Sequence, residues 1–317
     1  AALWTDVLEL PNPPREVRFF ELGGTSLQMV RLHARMVDEL GPVSLPALFD
    51  KPTIAQQAKL LAGSQAAPAP RMRVERTPTG GRVAIIGMAL RTPGANGLDE
   101  FWRLVREGRD VITRFRPEEL RDAASPQQRA QDDYVAARGV LADADAFDAA
   151  YFGMQAREAA LTDPQHRVFL EVAQAAFDHA GYDPARVDAP VGVFAGASMS
   201  TYLLQHVLTD RARVEAFTSA YQLGMFAELM GALADALATR VAFKLDLKGP
   251  AATVQTACST GLFAVAQAVQ AIQAGQCDMA LAGGVSITFP QERGYLYQDG
   301  AMGSRDGIVR PFDAQAC

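Results

Sequence analysis

Cysteine is scarce in this chain. Cys258, Cys277 and Cys317 are its only thiols among 317 residues. None has CxxC spacing, which excludes a disulfide framework and a zinc cluster and fits a reducing, cytoplasmic setting with no metal site. Positive charge is not in excess either: 30 Lys and Arg face 36 Asp and Glu, for a net charge of −6. That excludes a nucleic-acid binder, whose affinity rests on clustered cations. No membrane span is present, because the most apolar run, Ala257 to Ala274, is interrupted by Gln267, Gln270 and Gln273. No signal peptide opens the chain. The glycines of the RTPGANG loop at 91–97 do not make GxGxxG and no Walker A lysine follows, so nucleotide binding is unsupported. Histidine is also rare, with four residues and none after His206.

The composition that remains, 49% hydrophobic and 21% charged, is that of a globular chain long enough for two domains. Its organising stretch is TVQTACSTG, Thr253 to Gly261. A β-branched approach leads to a cysteine and then to a helical repeat, with Leu262, Val265, Ala266, Val269 and Ile272 at one-turn spacing and Gly275 at the end. Cys258 is therefore expected at or just before a helix N-terminus. Unpaired N–H groups and the positive end of the helix dipole favour a thiolate there and lower the thiol pKa. Gly261 would allow a tight turn and close approach of a substrate. The residues alone leave open a second reading, in which Cys258 is a small buried hydrophobe.

Residues 1–62 read as a small helical unit. Leu3, Trp4, Val7 and Leu8 begin it, and Pro11, Pro13 and Pro14 break it. FFELGGTS at 19–26 introduces a helix with Leu27, Val30, Ala34 and Val37 on one face and Gly41 past its end. Thr53 with Gln56 makes a capping box for a last helix that buries Ile54, Ala58 and Leu61. Ser26 stands at a helix start, where a serine is either an N-cap or a site of covalent modification. Residues 63–80, proline-rich and without periodicity, read as a semi-extended linker.

From residue 81 to 317 strands and helices alternate, the texture of a parallel α/β sheet. Strands are expected at 83–88 (VAIIGM), 191–196 (VGVFAG) and 279–287 (MALAGGVSI). A helix through Leu98, Phe101, Trp102 and Val105 closes at Gly108. Asp163-Pro164 caps another, which carries Phe169, Val172, Ala173, Ala176 and Phe177 and ends at Gly181. A further helical stretch is expected from about Tyr221 to Ala238. Cys277 is assigned to packing, and no catalytic role is assigned to His33, His166, His179 or His206.

Taken in order, VAIIGMALRTPG, LTDPQHRVFLEVAQAAFDHAGY, GVFAGAS, RVAFKLDLKGP, TACSTG, CDMALAGGVSI and GIVRPFDA resemble the β-ketoacyl synthases, the condensing enzymes of fatty-acid and polyketide assembly, over residues 82–317. The resemblance implies a thiolase-like layered α/β fold, truncated here, with Cys258 as the acyl-accepting nucleophile. FFELGGTSL, with Trp4 and LFDKPTIAQQAKLL at 48–61, resembles the attachment region of acyl and peptidyl carrier proteins, which form a small all-α bundle. It implies 4′-phosphopantetheine carried on Ser26 and a phosphopantetheinyl transferase as partner. Departures are Gln255 for a common Asp, Thr260-Gly261 for two serines and Thr239 for Asn. Thr25 replaces Asp or His, which leaves acyl versus peptidyl type open.

Together the resemblances imply part of a polyketide or hybrid peptide–polyketide assembly line. Cys258 would take an acyl group from a carrier thioester, and a malonyl-type extender on a carrier would be decarboxylated and condensed onto it, in a synthase that is homodimeric. The alternative is a non-elongating synthase or a scaffold module that only carries or passes acyl groups. The family normally uses two histidines downstream of the nucleophile, both ends of this chain look cut, and the piece alone is expected not to condense. A truncated sheet is also expected to leave a face of apolar helices and an open edge exposed.

Overall fold

The computed structural model describes residues 1–63, 81–121, 124–223 and 227–314. The linker expected at 63–80 falls, from residue 64 on, outside the described residues, as does Cys317. The chain divides into two compact units, whose described parts lie within 1–63 and 81–314.

The first unit is all helical: α1 (Ala2–Leu8), α2 (Ser26–Leu40), α3 (Leu45–Asp50) and α4 (Ile54–Gly63). Each later helix begins at a hydroxyl cap. Thr25 caps α2, Ser44 accepts from the Ala47 N–H at 3.3 Å, and Thr53 and Gln56 exchange hydrogen bonds as a capping box before α4. The core is Trp4, Phe19, Met29, Leu32, Met36, Leu48 and Ile54. Trp4 meets Phe19 edge to face at 4.9 Å.

Two sequence expectations change here. In α4 the buried neighbour of Ile54 is Gln57, while Ala58 is exposed. The reason is a polar one: the Trp4 indole N–H donates to Gln57 Oε1 at 2.9 Å, so the buried indole has its partner. In α2 the face turned inward carries Met29, Leu32 and Met36, whereas Leu27, Val30, Ala34 and Val37 form an exposed stripe.

The second unit contains, in chain order, α5 (Leu98–Glu107), β1 (Thr113–Arg114), α6 (Pro126–Arg129), β2 (Tyr134–Val135), β3 (Ala137–Arg138), α7 (Ala156–Leu161), α8 (Pro164–Ala180), β4 (Val191–Ala197), α9 (Arg211–Gln222), α10 (Ala227–Ala232), α11 (Leu237–Lys244), β5 (Ala251–Thr253), α12 (Thr260–Gln273), β6 (Met279–Val285) and β7 (Tyr295–Leu296). Its centre is a parallel three-stranded sheet in the order β5-β4-β6, with Val193 opposite Ala251 and Leu281. Every residue of β4 is buried, as a central strand covered on both faces requires. Alternation divides its side chains. Val191, Val193, Ala195 and Ala197 pack with α8 and α11 through Leu170, Ala173, Phe177, Leu237 and Val241. Phe194 faces α12 through Ala264, Ala268 and Ala271.

The caps of α8 follow the sequence: Asp163 accepts from the Gln165 N–H, Pro164 opens the helix and Gly181 closes it in the left-handed region at φ 75°. VAIIGM at 83–88 is not a strand. Strand propensity is a demand for a ladder partner. This segment pairs with neither outer strand of the sheet and runs along α8 instead, with Met88 N–H donating to His179 Nδ1 and Ile85 79% exposed. The helix expected over 221–238 is divided among the end of α9, α10 and the start of α11. The apolar side of α5 is uncovered: Phe101, Trp102 and Val105 are all exposed. Among the described residues no helix is long and apolar enough to cross a membrane.

Cys277 is buried beside Gly192 of β4, in the cluster between α12 and the sheet. His166, at 1% exposure, has an Nδ1 without a partner among the described residues. Burial, aided by the Arg240 charge, pushes its pKa from 6.5 down to about 3. The folded state therefore keeps His166 neutral while the unfolded chain takes up a proton below about pH 6.5, so stability is lost as pH falls through the window between these values. At about pH 5 this costs about 2 kcal/mol. Denaturant melts at neutral and mildly acidic pH should show His166→Gln with a shallower acid loss than the wild type. Equal slopes would refute the assignment.

Candidate active site: a thiol elbow and a helix-start serine

The chain leaves β5 at Thr253 and is held to the central strand at once, since the Val254 N–H donates to Ala195 O at 2.9 Å and Gln255 Nε2 donates to Ala197 O at 2.8 Å. It then reverses. Ala257 occupies the left-handed region at φ 52°, a conformation that costs a residue with a Cβ about 1–2 kcal/mol. The tight position is thus Ala257. Gly261 lies inside α12, and a Cβ added there would meet nothing within 4 Å.

The elbow is closed by its own hydroxyls. Thr260 Oγ1 accepts from the Thr256 N–H at 3.0 Å and donates to Ala257 O at 2.8 Å, and Ser259 Oγ donates to Thr256 O at 2.8 Å. Thr260 is buried, and its methyl packs toward Gly196 of β4. With these groups turned inward, Cys258 is left exposed on a single 3-10 turn, one residue before Ser259, the N-cap of α12. It is therefore not a buried hydrophobe.

The elbow sits low over the sheet because Gly196 has no side chain: a Cβ there would lie 1.9 Å from Val254 O. α12 follows with its small face inward. Ala264, Ala268 and Ala271 are buried, while Leu262, Phe263, Val265 and Ala266 are exposed. The larger apolar residues of the sequence repeat thus stand on the outer face, and alanines make the close contact with β4 and β6. A cavity of 490 Å³ opens beyond the end of β6, lined by Leu90, Arg138, Phe169, Ile287 and Thr288 among others, but Cys258 does not line it.

The four histidines do not join the thiol. His33 Nε2 bonds Val43 O, His179 accepts from Met88 N–H, His206 stacks on Tyr202, and His166 is buried in α8. No group of three or more His, Cys, Asp or Glu among the described residues is placed to hold a metal ion.

In the first unit Ser26 is the first residue of α2, and Thr25 performs the capping: its Oγ1 accepts from the Gln28 N–H at 3.2 Å and its N–H donates to Gln28 Oε1 at 2.9 Å. Ser26 is thus not needed as the N-cap. The preceding loop is pinned, since a Cβ on Gly24 would lie 2.4 Å from the Phe19 ring, while Gly23, at φ 86°, faces open space. A serine so placed stands at a helix N-terminus, where a phosphodiester is favoured by orphan N–H groups. The residues present fit a covalently attached phosphopantetheine.

Residues 81–316 match the family model for the β-ketoacyl synthase N-terminal domain, and residues 1–61 match that for the phosphopantetheine attachment site. A phenolphthiocerol/phthiocerol polyketide synthase protein of Mycobacterium tuberculosis is 41% identical over 235 residues, 74% of this chain and 16% of that protein. A hybrid PKS-NRPS synthetase of Gloeophyllum trabeum is 32% identical over 344 aligned positions, covering 99% of this chain and 21% of that protein. Among solved structures, ketosynthase twelve of the bacillaene polyketide synthase of Bacillus amyloliquefaciens superposes with a TM-score of 0.62 at 32% identity, over 73% of this chain and 39% of that one. The chain thus spans a small fraction of the length of the relatives it matches.

Gly196 gives the sharpest mutational test of the elbow. Gly196→Ala should force Val254 off the sheet, lowering the thermal midpoint of the second unit by several degrees, consistent with an overpacking cost of about 1–3 kcal/mol. Cys258 alkylation should change with it. A variant with wild-type midpoint and labelling rate would show that the close approach is not required.

Proposed function

The chain belongs to the β-ketoacyl synthase family, with a phosphopantetheine carrier domain ahead of the synthase's N-terminal part, and on that premise we propose that it is a segment of a polyketide or hybrid peptide–polyketide assembly line. The observation that carries this reading is the exposed Cys258 on an elbow closed by the hydroxyls of Thr260 and Ser259. Its thiolate attacks the carbonyl of an acyl thioester, the carbon–sulfur bond to the donor breaks, and the donor leaves as a thiolate while the acyl group remains on Cys258 as a thioester. The backbone N–H groups of the elbow, that of Cys258 among them, are the donors we assign to the negative charge that develops on the carbonyl oxygen. In the whole synthase, decarboxylative condensation with a malonyl-type extender follows.

Ser26 is the attachment residue of the carrier. The 4′-phosphopantetheine of such a domain supplies a thiol that holds the acyl chain as a thioester. The chain's own contribution is to present the serine at a pinned loop, with the exposed stripe Leu27, Val30 and Val37 beside it as the face a transferase or synthase would grip. The synthase works as a homodimer in the cytoplasm, and the outer edge of β5, the strand leading to Cys258, which has no partner strand among the described residues, is the surface we assign to the second copy. The outer face of α12, with Leu262, Phe263 and Val265, is covered by the remainder of the synthase fold.

Intact mass after incubation with CoA and a promiscuous phosphopantetheinyl transferase should show one adduct, absent in Ser26→Ala. Because Thr25 does the capping, that variant should keep its helical circular dichroism and melting point. An adduct that survives the substitution would sink the Ser26 assignment. Incubation with an acyl N-acetylcysteamine thioester should acylate Cys258, as read by peptide mapping, and Cys258→Ala should abolish the modification. Acylation spread evenly over all three thiols would count against a dedicated nucleophile.

A further inference from the structure

Two glutamines meet at the end of β4. Gln165, in the first turn of α8, is 1% exposed. Its Oε1 receives the Ser198 N–H at 3.1 Å, the Ser198 hydroxyl at 2.6 Å and the Ile287 N–H at 3.2 Å. Its Nε2 donates to Ser198 O at 3.2 Å and to Asp163 Oδ2 at 3.4 Å. Donors gather at one end of the amide and acceptors at the other, which fixes its orientation and requires a glutamine. Ser198 follows β4 and Ile287 follows β6, so one side chain ties together the ends of two neighbouring strands.

Gln255 holds the same peptide from the opposite side. Its Nε2 donates to Ala197 O, and Ala197 C=O and Ser198 N–H belong to one planar unit. One glutamine therefore holds the carbonyl end of this plane, and the other shares its N–H end with Val285 O, which accepts the same N–H at 3.1 Å. Gln255 lies three residues before Cys258. An aspartate at 255 would have no N–H to give Ala197 O.

We propose that Gln165 and Gln255 are coupled positioning residues: Gln165 locks the Ala197–Ser198 peptide, and Gln255 passes that fixed position to the elbow that presents Cys258. The pose of the thiol then depends on an amide buried under the opposite face of the sheet. The proposal rests on the reading of Cys258 as the nucleophile.

The test is a double-mutant cycle on the full chain, with the iodoacetamide rate at Cys258 read by peptide mapping and the thermal midpoint read in parallel. Gln165→Glu keeps the shape and loses the donor, and should lower the rate about tenfold; Gln255→Ala, at an exposed position, about threefold; the double variant should be no slower than Gln165→Glu alone. Val241→Ala, a core truncation in α11, serves as a control that lowers the midpoint without touching the clamp, and its Cys258 rate should stay near wild type. Multiplying deficits, or a Val241→Ala rate as low as that of Gln165→Glu, would overturn the coupling. Should Gln165→Glu not fold, Ser198→Ala takes its place in the cycle, with the same non-additivity expected and additivity again fatal. A wild-type Cys258 that labels no faster than a thiol in a short peptide would fail the nucleophile reading instead, and the cycle would still report whether the two glutamines act together.

Discussion

The closeness of one helix to one strand governs the second unit. α12 can lie on β4 only because its inner face is alanine and because Gly196 leaves room for the Val254 carbonyl. That proximity shortens the path from β5 into the helix. The chain has to reverse within Thr256 and Ala257, and the left-handed φ of Ala257 is the local cost. Threonine and serine hydroxyls then serve as backbone partners in place of a longer loop. The exposure of Cys258 follows from this geometry: with Thr260 drawn inward and the helix pressed down, the turn Ala257–Ser259 is left on the outside.

Much of this was legible in the sequence where local chemistry decides. Asp163-Pro164 with Gly181, Thr53 with Gln56, and the runs VGVFAG and MALAGGV each contain their own instructions, and the structure places caps and strands there. What periodicity could not tell is which stripe of an apolar helix is the inner one. α2 and α12 carry apolar residues on more than one side, and in both the stripe picked out by spacing is the outer one, because packing selected Met29, Leu32 and Met36 in one case and the alanines in the other. VAIIGM failed for a related reason: a strand needs a neighbour, and neighbours are set by topology.

Glutamine is the residue for which polarity alone misleads. Counted as polar, Gln57 and Gln165 belong on the surface, yet each is 1% exposed. Each is buried because an amide offers donor and acceptor at once and meets distant partners: the Trp4 indole and Leu48 carbonyl for one, Ser198 and Ile287 for the other. Trp4, Ser198 and Ile287 lie too far along the chain for any window scan to pair them with these glutamines. Gln255 did stand out, as a departure from a family pattern, and its bond to Ala197 gives that departure a physical content.

The two tryptophans have divided themselves between the units in opposite settings. Trp4 is 1% exposed, edge-on to Phe19 and hydrogen-bonded to Gln57, whereas Trp102 is 60% exposed on α5. The chain therefore carries a built-in pair of optical labels. A blue-shifted, iodide-shielded emission belongs to the helical bundle and a red-shifted, quenchable one to the α/β unit, so the unfolding of each can be followed in the intact polypeptide without a dye or a tag.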